Sequence, residues 1–155
     1  MQKASRDFIL NVLDKAVDLT IATNRPDGWP QATTVSYVHN GLIIYIGIGP
    51  EEQKAKNIAR DKRVSLTVNL PYRAWQEIKG ISMAAEAEKV TAEAEIGTII
   101  QLMIKRFGAQ LADLPSPDAN TFTFLRITPK VVSILDYTKG FGTTEQVEVA
   151  PGDLN

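Results

Sequence analysis

Between residues 8 and 17 the apolar side chains are Phe8, Ile9, Val12, Leu13, Ala16 and Val17, the i, i+4, i+8 recurrence of an amphipathic helix, with Ser5 where an N-cap is expected. The hydrophobic period then shortens to two. Residues 19–23 and 30–38 read as strands on either side of an Arg25-Pro26-Asp27-Gly28 turn. Residues 42–48 are again dense in β-branched and aromatic types, and Asn40-Gly41 is the pair favoured at the centre of a type I′ hairpin. After Pro50 a short helix is predicted over 51–60, opened by Glu51 and Glu52 and ending in bases, as the helix dipole favours. Strands follow at 64–69 and 76–90. The second loses its alternation at Ile78, Gly80, Ser82 and Met83, which predicts a bend or bulge. Thr91 is placed to cap a third helix with a core-facing stripe of Ile96, Ile99, Ile100, Met103 and Phe107, closed by Gly108. A loop over 108–120 leads to a last long strand, 122–127 and 131–135, interrupted at Pro129; residues 138–155 read as a tail.

Six strands with mostly short connections do not produce the βαβ alternation of a parallel sheet. The expected fold is mainly β, a six-stranded antiparallel barrel with peripheral α-helices, because closure removes edges that such apolar strands would leave sticky. The 155 residues, 44% hydrophobic and 23% charged, suit a single domain whose core runs over about 8–137.

Composition narrows the chemistry. There is no cysteine and only one histidine, His39, so thiol nucleophiles, redox dithiols, Cys-ligated metals and sites needing two histidines are excluded. Seventeen bases against eighteen acids leave a formal charge of −1, with no excess to hold a nucleic-acid backbone. No apolar run approaches the roughly 20 residues of a membrane span, and residues 1–7 lack the apolar stretch of an export signal, so a cytoplasmic location is expected. No dinucleotide fingerprint, P-loop, nucleophile elbow or zinc motif is present. Catalysis would therefore rest on other groups or on a borrowed cofactor.

The segment from Gln53 to Arg63 holds five bases and one acid. Lys54 and Asn57, three apart on a helix, share a side and can address an anion at the end of the preceding strand; the alternative is a solvated basic face. His39 reads as a solvated turn residue, with haem ligation the alternative. Trp29 and Trp75 flank prolines, as packing residues or as a lid or partner contact. Glu86, Glu88, Glu93 and Glu95 read as solvent-facing, and Arg126 as either a paired structural charge or a group reaching the cleft of a partner subunit.

Taken in order, the strand ending Ala22-Thr23, the Asp27-Gly28 turn with Pro30, Val35 and Tyr37, the Asn40-Gly41 hairpin, Lys54 with Asn57, and Arg63-Val64-Ser65-Leu66 resemble the first half of the FMN-binding split-barrel family that includes pyridoxamine 5′-phosphate oxidase. The later stretches GISMAAEAEKVTAEAE and FTFLRITPKVVSIL are similar to its fifth strand, following helix and last strand. The resemblance implies a six-stranded split β-barrel, a homodimer, and FMN in clefts at the dimer interface. It places Lys54 at the flavin phosphate, Thr33, Thr34, Val35 and Ser36 along the ring, and Ile48, Gln53, Asn57 and Trp75 around the cofactor. A flavin-dependent oxidoreductase acting on a small molecule is implied, with a non-enzymatic or stress-related flavin-binding module, haem or a deazaflavin coenzyme as alternatives. Relatives often carry Thr where this chain has Ile48 and Arg where it has Gln53, and the oxidase's basic residues before the hairpin are Ala32 and Tyr37 here. Oxidation of pyridoxamine 5′-phosphate is not expected.

Overall fold

Alternation of buried and exposed residues is strict along most strands of the computed structural model, which describes residues 1–113 and 122–155. The elements are α1 (Lys3–Lys15), β1 (Asp18–Asn24), β2 (Pro30–Ser36), β3 (Val38–Asn40), β4 (Ile43–Ile48), α2 (Gln53–Arg60), β5 (Arg63–Asn69), β6 (Lys79–Lys89), α3 (Glu93–Phe107), β7 (Thr123–Asp136) and β8 (Thr144–Glu148). All pairings are antiparallel, in the order β2-β1-β5-β6-β7-β4-β3, with β8 beside β7.

That order forces curvature. β2 and β3 are the two ends of the path, yet only Tyr37 lies between them in the chain. In a flat sheet six strand spacings would hold them roughly 29 Å apart, whereas two residue steps span at most about 7 Å. The sheet therefore curls until its ends meet, as a mainly β split barrel with three α-helices. Its inner face joins Ile21, Ile44, Leu66, Met83, Ile127 and Val132 in one core, into which α1 inserts Ile9, Val12 and Leu13. A second cluster forms outside the barrel, where Ile99 of α3 covers Val38, Tyr45 and Phe124.

Eight strands stand among the described residues where six are expected. The stretch 30–38 divides at Tyr37 because its halves pair at opposite ends of the sheet, and 138–155 contributes β8, paired with β7 from Val131↔Glu148 to Leu135↔Thr144. The break in alternation expected over residues 78–83 is not found: β6 keeps Ile81, Met83, Ala85 and Ala87 buried in unbroken alternation, and the bulge lies on its partner strand, where Lys130 is the extra residue between Pro129 and Val131, opposite Ala85 and Ala84; there β7 exchanges its outer neighbour β4 for β8.

Four further local expectations are corrected. Ser5 lies inside α1 and donates to Glu145 Oε1 (2.7 Å), because contacts with the C-terminal segment, including Met1 N to Asp153 Oδ1 (2.7 Å), extend the helix to Lys3. The hairpin turn is centred on Gly41 and Leu42, not Asn40 and Gly41, and among its residues only Gly41 has positive φ (57°), so type I′ geometry is ruled out. α2 opens at Gln53 rather than Glu51, and Ala92 rather than Thr91 precedes α3. The predicted loop over 108–120 lies largely outside the described residues; its first part, Gly108–Asp113, is a 3₁₀ turn.

On the outer face, register aligns Thr34, Thr20, Thr67, Ser82, Ser133 and Gln146 in one row across six strands. The row carries no charge. Among the described residues no helix is long and apolar enough to cross a membrane.

Candidate functional site

The seam where the sheet's ends meet carries a cleft of about 520 Å³ on the outer face. One wall comes from β4 and β7. Gly47, having no side chain, lies under the rings of Phe122 and Phe124, whose nearest atoms would stand 3.3 and 3.4 Å from an added Cβ. Tyr45 continues this wall, and α3 closes it with Ile99, Met103 and Phe107. The opposite side is the outer face of β2, with Thr34 and Ser36, and the floor includes Val35 and Tyr37. Lys54 and Glu52 stand at the end near α2.

Neighbouring helices lock the floor. The buried Tyr37 hydroxyl donates to Leu13 O (2.7 Å), while the Arg106 guanidinium stacks 4.4 Å from the ring centroid and donates to the carbonyls of Leu13 (3.3 Å) and Ala16. A cation on the last carbonyls of α1 is favoured by the helix dipole. Burial pushes the Tyr37 phenol up, against the opposing pull of Arg106, so it remains a donor at neutral pH. Burial also raises the Tyr45 phenol, helped by Glu95, which accepts its proton at 3.2 Å.

Arg126 resolves as a paired structural charge, bonded to Glu88 (3.1 Å) across the strand register and to Glu95 (3.1 Å) in the first turn of α3. Glu86, Glu88 and Glu95 are therefore ion-paired rather than simply solvated, and Glu95 fixes the start of α3 against Tyr45. His39 is also not a solvated residue: its side chain is 12% exposed, with Nδ1 3.0 Å from Gly41 O and Nε2 3.1 Å from Asp14 Oδ1.

Of the residues singled out from sequence, Thr34, Val35, Ser36 and Lys54 line the cleft. Thr33 alternates with Thr34 and Ser36 and faces inward, its hydroxyl buried with no hydrogen-bond partner among the described residues. Ile48 is 2% exposed in the barrel core. Asn57 is fully buried; it accepts from Gln53 Nε2 (2.9 Å) and donates to Thr23 Oγ1 (3.0 Å) and Gln31 Oε1 (3.2 Å), which ties α2 to β1 and β2. Trp75 stands apart from the cleft, edge-on to Phe141 at 5.1 Å. Glu52, Tyr45, Phe122 and Phe124 also line the cleft; none stands out from sequence as a site residue, and the one signal available was the acid two residues before Lys54. The α3 stripe read as core-facing is divided, Ile99 packing beneath and Met103 and Phe107 forming cleft wall.

A curled antiparallel sheet with helices outside and a cleft at its seam defines a split β-barrel protein. The chain belongs to the pyridoxamine 5′-phosphate oxidase family, whose profile matches residues 5–136. Among solved structures it is similar to a heme binding protein from Mycobacterium smegmatis (17% identity, TM-score 0.79), covering 96% of this chain and 59% of that one. This chain thus spans under two thirds of that protein's length. It is also similar to a putative pyridoxamine 5′-phosphate oxidase from Listeria innocua (20%, TM-score 0.69, covering 85% and 98%) and to the heme storage protein HutZ from Vibrio cholerae (21%, TM-score 0.66, covering 79% and 87%). No curated protein matches the chain.

Proposed function

We propose that the protein binds FMN in the seam cleft and acts, as a cytoplasmic homodimer, as a flavin-dependent oxidoreductase on a small molecule. The observation that carries this reading is the cleft itself: an aromatic and aliphatic wall faces a hydroxyl-bearing strand, with one ammonium at the end. Its volume suits a small-molecule site, and the apolar wall suits the faces of a planar ring. Among the described residues β2 pairs with β1 alone, and backbone donors and acceptors along its other edge suit the polar rim of a ring. Thr34 and Ser36 add hydroxyls there, and Lys54 is the group to take the phosphate.

When bound, the isoalloxazine supplies hydride and electron transfer. The chain's own residues hold it: Phe122, Phe124 and Tyr45 exclude water from one face, and Arg106 keeps Tyr37 and α1 in place below. Support for the homodimer is the uncharged hydroxyl row beside the cleft, since interface centres are depleted in charge. Sedimentation at micromolar concentration should give twice the 17.0 kDa chain mass.

Haem is the second reading, favoured by the two haem-related structural neighbours. Against it, His39 is the sole histidine and both its ring nitrogens are engaged away from the cleft lining. The absorbance spectrum of the purified protein and a flavin titration followed by fluorescence quenching decide between them. Flavin bands or saturable quenching by FMN is the expected result; a Soret band with no flavin uptake overturns the reading.

A further inference from the structure

We propose that Glu52 sets the preference of the cleft between phosphorylated and unphosphorylated ligands, by occupying with its own carboxylate the place where a ligand's phosphate would meet Lys54. This rests on the reading of the cleft as a flavin site.

Glu52 directly precedes α2 but its side chain makes no capping bond to that helix. It turns back instead: Oε1 accepts from the Gly49 N–H at 2.8 Å and Oε2 accepts from Lys54 Nζ. Gly49 makes room for this. Its φ is not in the left-handed region, so the backbone alone does not demand glycine, but an added Cβ would stand 3.1 Å from Glu52 Oε1 and 3.2 Å from Cγ. The Lys54 side chain is 13% exposed against 44% for Glu52, so the ammonium is sheltered and the carboxylate lies on its solvent side. Burial pushes the Glu52 carboxyl up, but Lys54 and the Gly49 N–H outweigh it and hold the group below its ordinary range.

Among the described residues lining the cleft, Lys54 is the one cation and Glu52 the one anion. A backbone N–H and an ammonium converging on an oxyanion are what a phosphate monoester requires, and here both are already used. A phosphate carrying about −1.5 to −2 charges can reach Lys54 only by displacing the carboxylate, which then remains beside it as a like charge. A ligand ending in a neutral hydroxyl leaves the pair intact. The cleft consequently gives FMN little advantage over riboflavin, and Glu52 acts as a specificity residue.

The test compares dissociation constants for FMN and riboflavin, by fluorescence quenching at low salt, in the wild type, Glu52→Gln, Gly49→Ala and Glu52→Gln/Lys54→Ala. In the wild type the two flavins should differ by less than about threefold; in Glu52→Gln the preference for FMN should rise at least about tenfold. Gly49→Ala, which crowds the carboxylate without removing it, should shift the preference in the same direction, and the double variant should lose the gain. Flavin binding with the same FMN-to-riboflavin ratio in the wild type and both single variants overturns the role of Glu52 while leaving the flavin site standing. Binding of neither flavin to any of the proteins overturns the site and this inference together.

Discussion

Lys54 and Asn57 show how little separates a ligand-facing residue from a structural one. Three positions along an α-helix amount to about 300°, an offset of roughly 60° that serves a surface pair but parts two residues at the edge of a buried face. Lys54 therefore reaches the cleft while Asn57 is sealed between β1 and β2. Asn57→Ala should cost about 1–3 kcal/mol in chemical denaturation, since it removes a partner from the buried Thr23 hydroxyl and from the half-buried Gln31 amide. Asp61 offers a pH test. Arg63, through side chain and backbone, and Asn24 hold its carboxyl well below the usual range. A depressed folded value gives stability that is complete above the unfolded value of about 3.9 and is lost as pH falls towards the folded one. The melting temperature of Asp61→Asn should thus fall slightly below wild type at pH 7, and the gap should narrow progressively as pH falls below about 4; the effect is modest because its partner Arg63 is exposed to solvent.

At the scale of elements, what could be read from sequence depended on how much each element buries. β5 was plain, with Val64, Leu66 and Val68 inward and Ser65 and Thr67 outward; in β6 the residues that suggested a break, Gly80 and Ser82, sit in regular alternation, because the extra residue at the bulge is Lys130 on β7. β8 was not plain, because an edge strand with only Val147 half-buried in TEQVE leaves almost no hydrophobic signature. The cleft's polar strand was legible in Thr34 and Ser36; its aromatic wall was not, since Phe122, Phe124, Met103 and Phe107 have the same spacing as ordinary core residues. The C-terminal segment also explains Gly41. Its φ of 57° and an added Cβ 2.1 Å from Leu154 O mean that alanine would meet both backbone strain and the carbonyl that receives the Leu42 N–H. Gly41→Ala should lower stability by about 1–3 kcal/mol, and removing residues 150–155 should shrink that penalty towards the φ strain alone, as read from urea midpoints in a double-mutant cycle.

At the scale of the whole molecule, closure through Tyr37 makes the cleft a matter of counting. Positions 32, 34, 36 and 38 share the outer face and 31, 33, 35 and 37 the inner one, so a single alternation runs unbroken from one end of the sheet to the other. Thr34 and Ser36 come into phase with Val38 and Tyr45 because the joint is one residue long, and that makes it a parity device. One inserted alanine after Tyr37 would require β3 either to turn His39 outward and Val38 inward or to abandon its pairing with β4; two would restore the phase at the cost of a slightly longer loop, a small entropic term. The expected loss of stability across a series of one, two, three and four inserted alanines is therefore a sawtooth, large for odd insertions and smaller for even ones, and thermal unfolding of the four proteins would display it directly.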